Sequence, residues 1–309
     1  MTQARAPAPS DLQLRFLLPS AGVRGVLVQL DQTWRAMAAR AAYPPAVAEL
    51  LGEAAAAAAL FTGHAKVDGR LSVQLRSHGA LRTLFAECTA AGTLRGIARL
   101  QEDASEPGAA TLSRDLRSLG DDAVLAITIE NPALGGREPM RYQGLVELDA
   151  DNLGEAFEGY FRQSEQLPTR LLLACDGARA AGLMLQKLPG DGGDDDGWNR
   201  VGALFETLGS AELLALAPAD TIHRLFHEES PHAMGGKPLR FACSCSRERV
   251  AAMLVSLGIG EAEAAVAAGD GEARVLCEFC GHDYRFDAEA VASLFRGAGA
   301  ALPAAPGIQ

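Results

Sequence analysis

Apolar residues recur at every second position over several short stretches of the chain, and at three- and four-residue spacing over others. Val23 to Leu30 carries Val and Leu at strand spacing. Lys66 to Leu75 reads as a hairpin, with Asp68-Gly69 as its turn and Leu71, Val73 and Leu75 alternating on one face. Thr93 to Leu100, Val124 to Ile129, Arg141 to Leu148, Leu171 to Ala174 and Gly182 to Leu188 predict further strands. Helical spacing covers Thr33 to Arg40 and Leu153 to Tyr160, where Phe157 and Phe161 share a face. Pro44 and Pro45 open another helix, which carries the core-forming run Ala54 to Ala59 and ends near Gly63. Strand runs interspersed with a few helices point to an α+β domain rather than regular βαβ alternation.

Gly190 to Gly197 breaks this pattern. As a calcium loop it fails, because aligning Gly197 with the invariant glycine leaves Gly192 at the first ligand position and Ala203 at the last. It also lacks the Lys-Ser/Thr of a phosphate loop, so it reads as a flexible acidic linker. Three short helical segments follow. Trp198 to Leu208 ends at Gly209, Ser210 caps Ala211 to Leu216, and Asp220 caps Thr221 to Glu229. Ile222, Leu225 and Phe226 form one apolar stripe, the kind of face that packs on a neighbouring domain. Pro231 to Pro238, with Gly235-Gly236, reads as a second hinge. Beyond it, Ser246 caps a helix in which Val250, Met253, Leu254 and Leu257 share a face and Gly258 is the stop. Arg274 to Cys277 and Asp283 to Phe286 are short strands, and Asp287 caps a last helix to Phe295. Residues 1–10 are Ala/Pro-rich and expected to be disordered, and residues 297–309 are a Gly/Ala/Pro tail. The predicted organisation is therefore a large α+β domain over 1–189, with its folded part from 11. A break and helical linker cover 190–240, with helices from 198. A small module and tail span 241–309, the module ending near 296.

Composition narrows the function classes. The chain has 309 residues, 48% of them hydrophobic, enough for a sizeable core, and a formal net charge of −11. That balance argues against a general binder of nucleic acid or anionic membranes. Leu12 to Leu18 is short and broken by Arg15, so it is no secretory signal, and no run reaches the ~18 apolar residues of a membrane span.

The strongest chemical signal is in the cysteines. Four of the six form two close pairs, Cys243-Ser244-Cys245 and Cys277-Glu278-Phe279-Cys280, separated by thirty-one residues. Each pair offers two thiolates on one side, and the intervening chain lets the halves close on one tetrahedral ion, for which zinc is the natural occupant. Gly281 suits a tight knuckle turn after Cys280. With no export signal, cysteines at metal spacing indicate a reducing cytosol. The same thiols can also oxidise to two disulfides and expel the metal. Spacing alone leaves a static staple and a switch equally open. Cys88 and Cys175 lie in apolar surroundings and read as buried small hydrophobes. His282 is next to the knuckle, but four cysteines already fill a tetrahedron; His227 reads as a helix-end side chain.

Several motifs carry a resemblance over almost the full length. They are Tyr142-Gln143-Gly144, the block Tyr160-Phe161-Arg162-Gln163-Ser164-Glu165-Gln166-Leu167-Pro168-Thr169-Arg170, Leu225-Phe226-His227-Glu228-Glu229, Cys243-Ser244-Cys245-Ser246-Arg247-Glu248-Arg249, and Cys277-Glu278-Phe279-Cys280-Gly281-His282-Asp283-Tyr284. With these, the chain resembles the redox-regulated 33 kDa chaperonin family of bacterial heat-shock proteins. Its Gly-rich acidic break and Ala-rich tail are minor departures. The resemblance implies an ATP-independent holdase, not an enzyme, that binds unfolding proteins in the cytoplasm under oxidative and heat stress. It implies one Zn²⁺ per chain on Cys243, Cys245, Cys277 and Cys280 in the reduced, inactive state. It further implies activation by Cys243–Cys245 and Cys277–Cys280 disulfides with zinc release, a homodimer when oxidised, and hand-over of clients to ATP-dependent foldase chaperones.

The residues support that scheme physically. Structural zinc is worth on the order of 10 kcal/mol, which can exceed the whole stability of a small module. Its loss would unfold the module, and short linker helices robbed of packing would follow. Two rivals remain. A zinc-ribbon nucleic-acid binder faces the wrong sign of charge, since five Arg and no Lys stand against nine Asp and Glu between Phe241 and Arg296, a net of −4. A thiol–disulfide oxidoreductase expects its C-x-x-C at a helix start in a thioredoxin-like context, whereas this one lies between short strands. No G-x-S-x-G motif suggests a hydrolase.

Overall fold

The chain begins with β1 (Leu12–Leu18) and β2 (Val23–Leu30), then α1 (Gln32–Ala38) and α2 (Pro45–His64). Strands β3 (Arg70–Arg76), β4 (Leu81–Thr89), β5 (Thr93–Leu100), β6 (Val124–Asn131) and β7 (Met140–Val146) follow. Next come α3 (Leu153–Tyr160), β8 (Thr169–Cys175) and β9 (Ala180–Lys187). Three short helices, α4 (Gly197–Glu206), α5 (Ser210–Ala215) and α6 (Pro218–Phe226), lead to β10 (His232–Pro238) and β11 (Arg240–Phe241). The remainder is α7 (Arg247–Leu257), α8 (Ile259–Ala268), β12 (Glu272–Leu276), β13 (Asp283–Asp287) and α9 (Ala288–Ala298). This computed structural model describes residues 11–101, 114–120, 122–133, 138–190 and 193–298. The contacts divide the chain between Ala242 and Cys243 into two units. The fold is α+β, as the strand and helix patterns predict.

In the first unit, α2 is the centre. One sheet has the order β10-β1-β2-β9-β8 and the other β11-β5-β4-β3-β6-β7, antiparallel except for the β11–β5 pair. Helix α2 packs between them. Ala54 to Ala59 are all 0% exposed, because small side chains let both sheets approach the helix backbone closely. Among the described helices, α2 is the single one long and apolar enough to cross a membrane, and 14 of its 20 residues are buried in this core. Phe157 and Phe161 do share a face, and both meet Phe61 of α2 edge-on, at 4.9 and 5.3 Å.

The other face of the five-stranded sheet is apolar too. Phe16, Leu18, Val23, Leu27, Leu183 and Leu185 line it, and α4–α6 cover it with Val201, Phe205, Leu213, Leu225 and Phe226. Phe16 crosses directly over Gly25, where a Cβ would lie 2.1 Å from the ring, and stacks on Phe226 at 5.8 Å. The predicted stripe thus packs on the first domain through Leu225 and Phe226, with Ile222 partly buried.

Five local expectations change. Ser210 does not cap α5: it is the first helical residue, Gly209 is the N-cap, and no side chain caps that helix start. Pro231 to Pro238 is not a hinge: residues 232–238 are an edge strand on β1. Gly235, at φ +106°, and a register shift opposite Leu14–Phe16 absorb the irregularity, and an edge tolerates Pro238. Asp68-Gly69 does not turn a hairpin. Both N–H groups donate to Asn131 Oδ1, and β3 pairs instead with β4 and β6. Helix α6 starts earlier than Asp220, capped from Ala217 with Pro218 in its first turn. The acidic break is pinned rather than free where it is described. Asp194 N–H donates to Ser20 O at 2.8 Å, and the Asp194 carboxylate accepts from Arg200. Strands β1 and β4 and helix α8 had no sequence expectation. Residues 1–10, expected to be disordered, fall outside the described residues, and the tail from 297 is described only at 297 and 298, which lie in α9.

The second unit has a small core of Val250, Leu254, Ala262, Val266, Ala273, Tyr284, Phe286 and Val291. Ser246 caps α7, accepting from Arg249 N–H at 3.3 Å, and Asp287 caps α9 through Ala290 N–H at 2.7 Å. Both caps are those the sequence predicts.

Candidate metal centre

Two short segments carry the four cysteines of the second unit. Cys243 and Cys245 lie in the stretch that leads into α7. The Arg249 guanidinium donates to Ser244 O at 2.7 Å, which holds the residue between them. Cys277 and Cys280 lie in the turn joining β12 to β13. Gly281 N–H donates to Cys277 O at 2.7 Å, and Cys277 N–H donates to His282 O at 2.9 Å. Gly281 has φ +70°, a conformation that glycine adopts without a Cβ penalty. Below the turn, Asp283 pairs with Arg274 at 2.9 Å and Arg285 at 3.0 Å.

The turn and the α7 lead-in bring all four sulfurs together, within 4.8 Å of one another. Cys243 Sγ lies 3.6 Å from Cys277 Sγ, and Cys245 Sγ 3.3 Å from Cys280 Sγ. A tetrahedron with metal–sulfur bonds of about 2.3 Å has edges of roughly 3.8 Å. The donor set therefore fits a tetrahedral thiolate centre. Tyr284, 7% exposed, donates its hydroxyl to Cys245 Sγ at 3.1 Å.

The electrostatics of the bare cluster are uneven. Burial pushes the Cys245 thiol up, but hydrogen bonds from Tyr284 and the neighbouring thiols outweigh it and bring the thiol down to about 7. Burial, with Cys245 and Cys277 as neighbours, pushes Cys280 up to about 12, and burial raises Cys243 as well. One proton is readily lost and others are held, so full deprotonation of the cluster calls for a cation.

The other predicted residues fall where their surroundings suggested. Cys88 and Cys175 are buried in the first unit, and burial raises both thiols, Cys88 to about 11. His282 is no member of the cluster and stacks edge-on against Tyr284 at 4.4 Å. His227 is exposed, its Nδ1 3.2 Å from His223 O. Two functional candidates escaped the sequence reading. One is the Tyr284 hydroxyl. The other is Arg200, whose guanidinium donates to Glu229 at 2.5 and 3.0 Å and to Asp194 at 2.9 and 3.2 Å. Alternation of Tyr284 with Phe286 along β13 was a signal for the first; nothing local marked the second.

The sequence profile of the family described as "Hsp33 protein" matches residues 11–287. The chain belongs to the Hsp33 family. A relative from Ectopseudomonas mendocina, described as "33 kDa chaperonin", is 46% identical over 299 residues, covering 95% of this chain and 98% of the relative. One from Azotobacter vinelandii with the same description is 43% identical over 300 residues, covering 96% and 98%. The crystal structure of the Thermotoga maritima 33 kDa chaperonin (Heat shock protein 33 homolog) shares the fold, with a TM-score of 0.73 at 21% identity over 94% of this chain and 100% of that one. The Hsp33 resemblance motifs outside the cysteines serve the scaffold. Gly144 leaves room for the Tyr160 ring, whose hydroxyl meets that of Tyr142 at 3.1 Å. Residues 161–165 form a π turn that ends at Gln166, φ +55°. Leu225 and Phe226 enter the covered sheet face, and Glu229 receives Arg200.

Proposed function

We propose that this chain is a redox-regulated, ATP-independent holdase that binds unfolding proteins after its thiol cluster is oxidised. The observation that carries the reading is the convergence of four thiols in a unit whose own apolar core has, among the described residues, eight buried ones. In the reduced state Cys243, Cys245, Cys277 and Cys280 would hold one zinc ion. Bound zinc supplies a four-point cross-link worth on the order of 10 kcal/mol, on the scale of a whole domain's stability.

Oxidation by a peroxide removes that donor set. For each disulfide, two thiolate sulfurs lose two electrons to one hydrogen peroxide, and two protons complete two waters. We assign the bonds to Cys243–Cys245 and Cys277–Cys280. The sulfur contacts at 3.6 and 3.3 Å run across the pairs, but those partners are 34 and 35 residues apart and separate when the unit unfolds. Partners within a three- or four-residue segment stay together, because closing so short a loop costs little entropy. Such short loops constrain the unfolded chain weakly and cannot replace the metal's folding energy.

The cover α4–α6 is the second element of the reading. Its helices have 10, 6 and 9 residues, lengths that are marginal without tertiary packing. Their release would expose two complementary apolar surfaces at once, the helix stripe and the sheet face around Phe16 and Leu183. We assign client binding to these surfaces, with residues 190–240 acting as the linker. Dimerisation of the oxidised form, hand-over to ATP-dependent foldases and a cytoplasmic location belong to the same proposal.

The competing oxidoreductase reading expects a C-x-x-C at a helix N-terminus, whereas here it occupies a strand–strand turn. The test is light scattering of a thermally unfolding client without ATP. Protein treated with peroxide at raised temperature should suppress aggregation, and reduced zinc-loaded protein should not. Equal suppression by both would reduce the cluster to a structural staple; suppression by neither would remove the chaperone reading.

A further inference from the structure

Tyr284 belongs to two environments. Its ring packs in the core of the second unit, on β13 opposite Val275, with an edge against His282. Its hydroxyl leaves that core and donates to Cys245 Sγ at 3.1 Å. A phenylalanine would fill the same apolar space, so packing does not explain the oxygen. A buried hydroxyl needs a partner, and here the partner is one of the four sulfurs. That sulfur also lies 3.3 Å from Cys280 Sγ.

We propose that Tyr284 is a positioning residue that slows attack of the cluster on peroxide by withdrawing electron density from the Cys245 sulfur. In the first step a sulfur lone pair attacks a peroxide oxygen. The S–O bond forms as O–O breaks, and hydroxide leaves. A second thiolate then displaces hydroxide from the sulfenic sulfur, forming S–S, and two protons turn both hydroxides into water. Negative charge leaves the sulfur in the first step, so a hydrogen bond to it is stronger before attack than during it. An interaction that favours the ground state over the transition state raises the barrier. Outer-shell hydrogen bonds of this kind tune metal–thiolate centres without touching the ion. The hydroxyl would thus set the oxidant threshold of the switch and shield Cys245 relative to its neighbours.

This inference rests on the redox reading of the same cluster, and the experiment separates the two. Full-length wild-type protein and Tyr284→Phe are each loaded with one zinc equivalent. Zinc release is followed with a chromophoric chelator, with and without hydrogen peroxide. Cysteines modified early are located by alkylation and mass spectrometry. If peroxide releases no zinc from the wild type, the redox reading itself fails. Given wild-type release, Tyr284→Phe should release zinc roughly 10-fold faster under peroxide. Its loss to chelator alone should stay near the wild-type rate, and the extra early modification should map to Cys245. Equal acceleration of both routes, an unchanged peroxide rate, extra modification away from Cys245, or failure of the variant to retain zinc would each make Tyr284 a structural strut and overturn the proposal.

Discussion

His64, at the end of α2, ties acid stability to a single half-buried ring. Its Nε2 lies 3.0 Å from an Arg24 guanidinium nitrogen, which obliges a neutral ring with the proton on Nδ1. Burial, and then the Arg24 charge, push its pKa down to about 3. The unfolded histidine takes a proton near 6.5, so between those values the unfolded state binds more protons than the folded one. Stability of the first unit should therefore fall as pH drops from about 6.5 towards 3, by up to about 1.4 kcal/mol per pH unit from this group. Gln at position 64 does not titrate, and His64→Gln should flatten the loss of melting temperature between pH 7 and pH 4.5; an unchanged acid limb would refute the assignment. At the metal centre, Cys277→Ser should retain zinc at least ten times more weakly, and a fully loaded variant would remove Cys277 from the donor set. The clustering of those cysteines was legible because two close pairs at metal-ligand spacing are a local pattern. The Tyr284 hydroxyl was not, since its reach to Cys245 depends on the β12–β13 register and on a segment 39 residues away.

Among the elements, α4–α6 carry the conformational part of the proposed switch. Phe226 is 0% exposed and stacks on Phe16, so Phe226→Ala should cost about 3–5 kcal/mol. That loss falls on three short helices. Hydrogen exchange across 197–229 should rise in the reduced protein, and partial holdase activity should appear while zinc stays bound. A loosened cover without activity would move the client surface elsewhere. Element type was readable where the period was clean, as in α3 and β13, and in α2 from its proline start and Ala run. Strand β10 was not, because Pro231, Gly235, Gly236 and Pro238 imitate a loop. Only the bulged pairing with β1 makes them an edge strand.

For the whole molecule, the described residues of the first unit build cores on both faces of the five-stranded sheet, and those of the second build a core of eight buried apolar residues. Metal removal should therefore act on one unit first. A strong chelator applied to reduced protein should abolish hydrogen-exchange protection across 243–298 and leave the β2–β9 ladder protected. Uniform loss of protection along the chain would mean that the units do not melt separately.

By itself the sequence determined the α+β class, the two close cysteine pairs that the fold brings together, the caps at Ser246 and Asp287, and family membership. These rest on short-range signals: side-chain period, cap chemistry and chelate spacing are all expressed within a few residues. Tertiary structure alone decided that α2 lies between two sheets and that α4–α6 hide a second apolar sheet face. It also decided that Arg200 joins Asp194 to Glu229 and that Tyr284 meets Cys245. Each of these depends on strand order and register, which bring together residues far apart in the chain, and no local pattern of apolar and polar positions encodes that pairing.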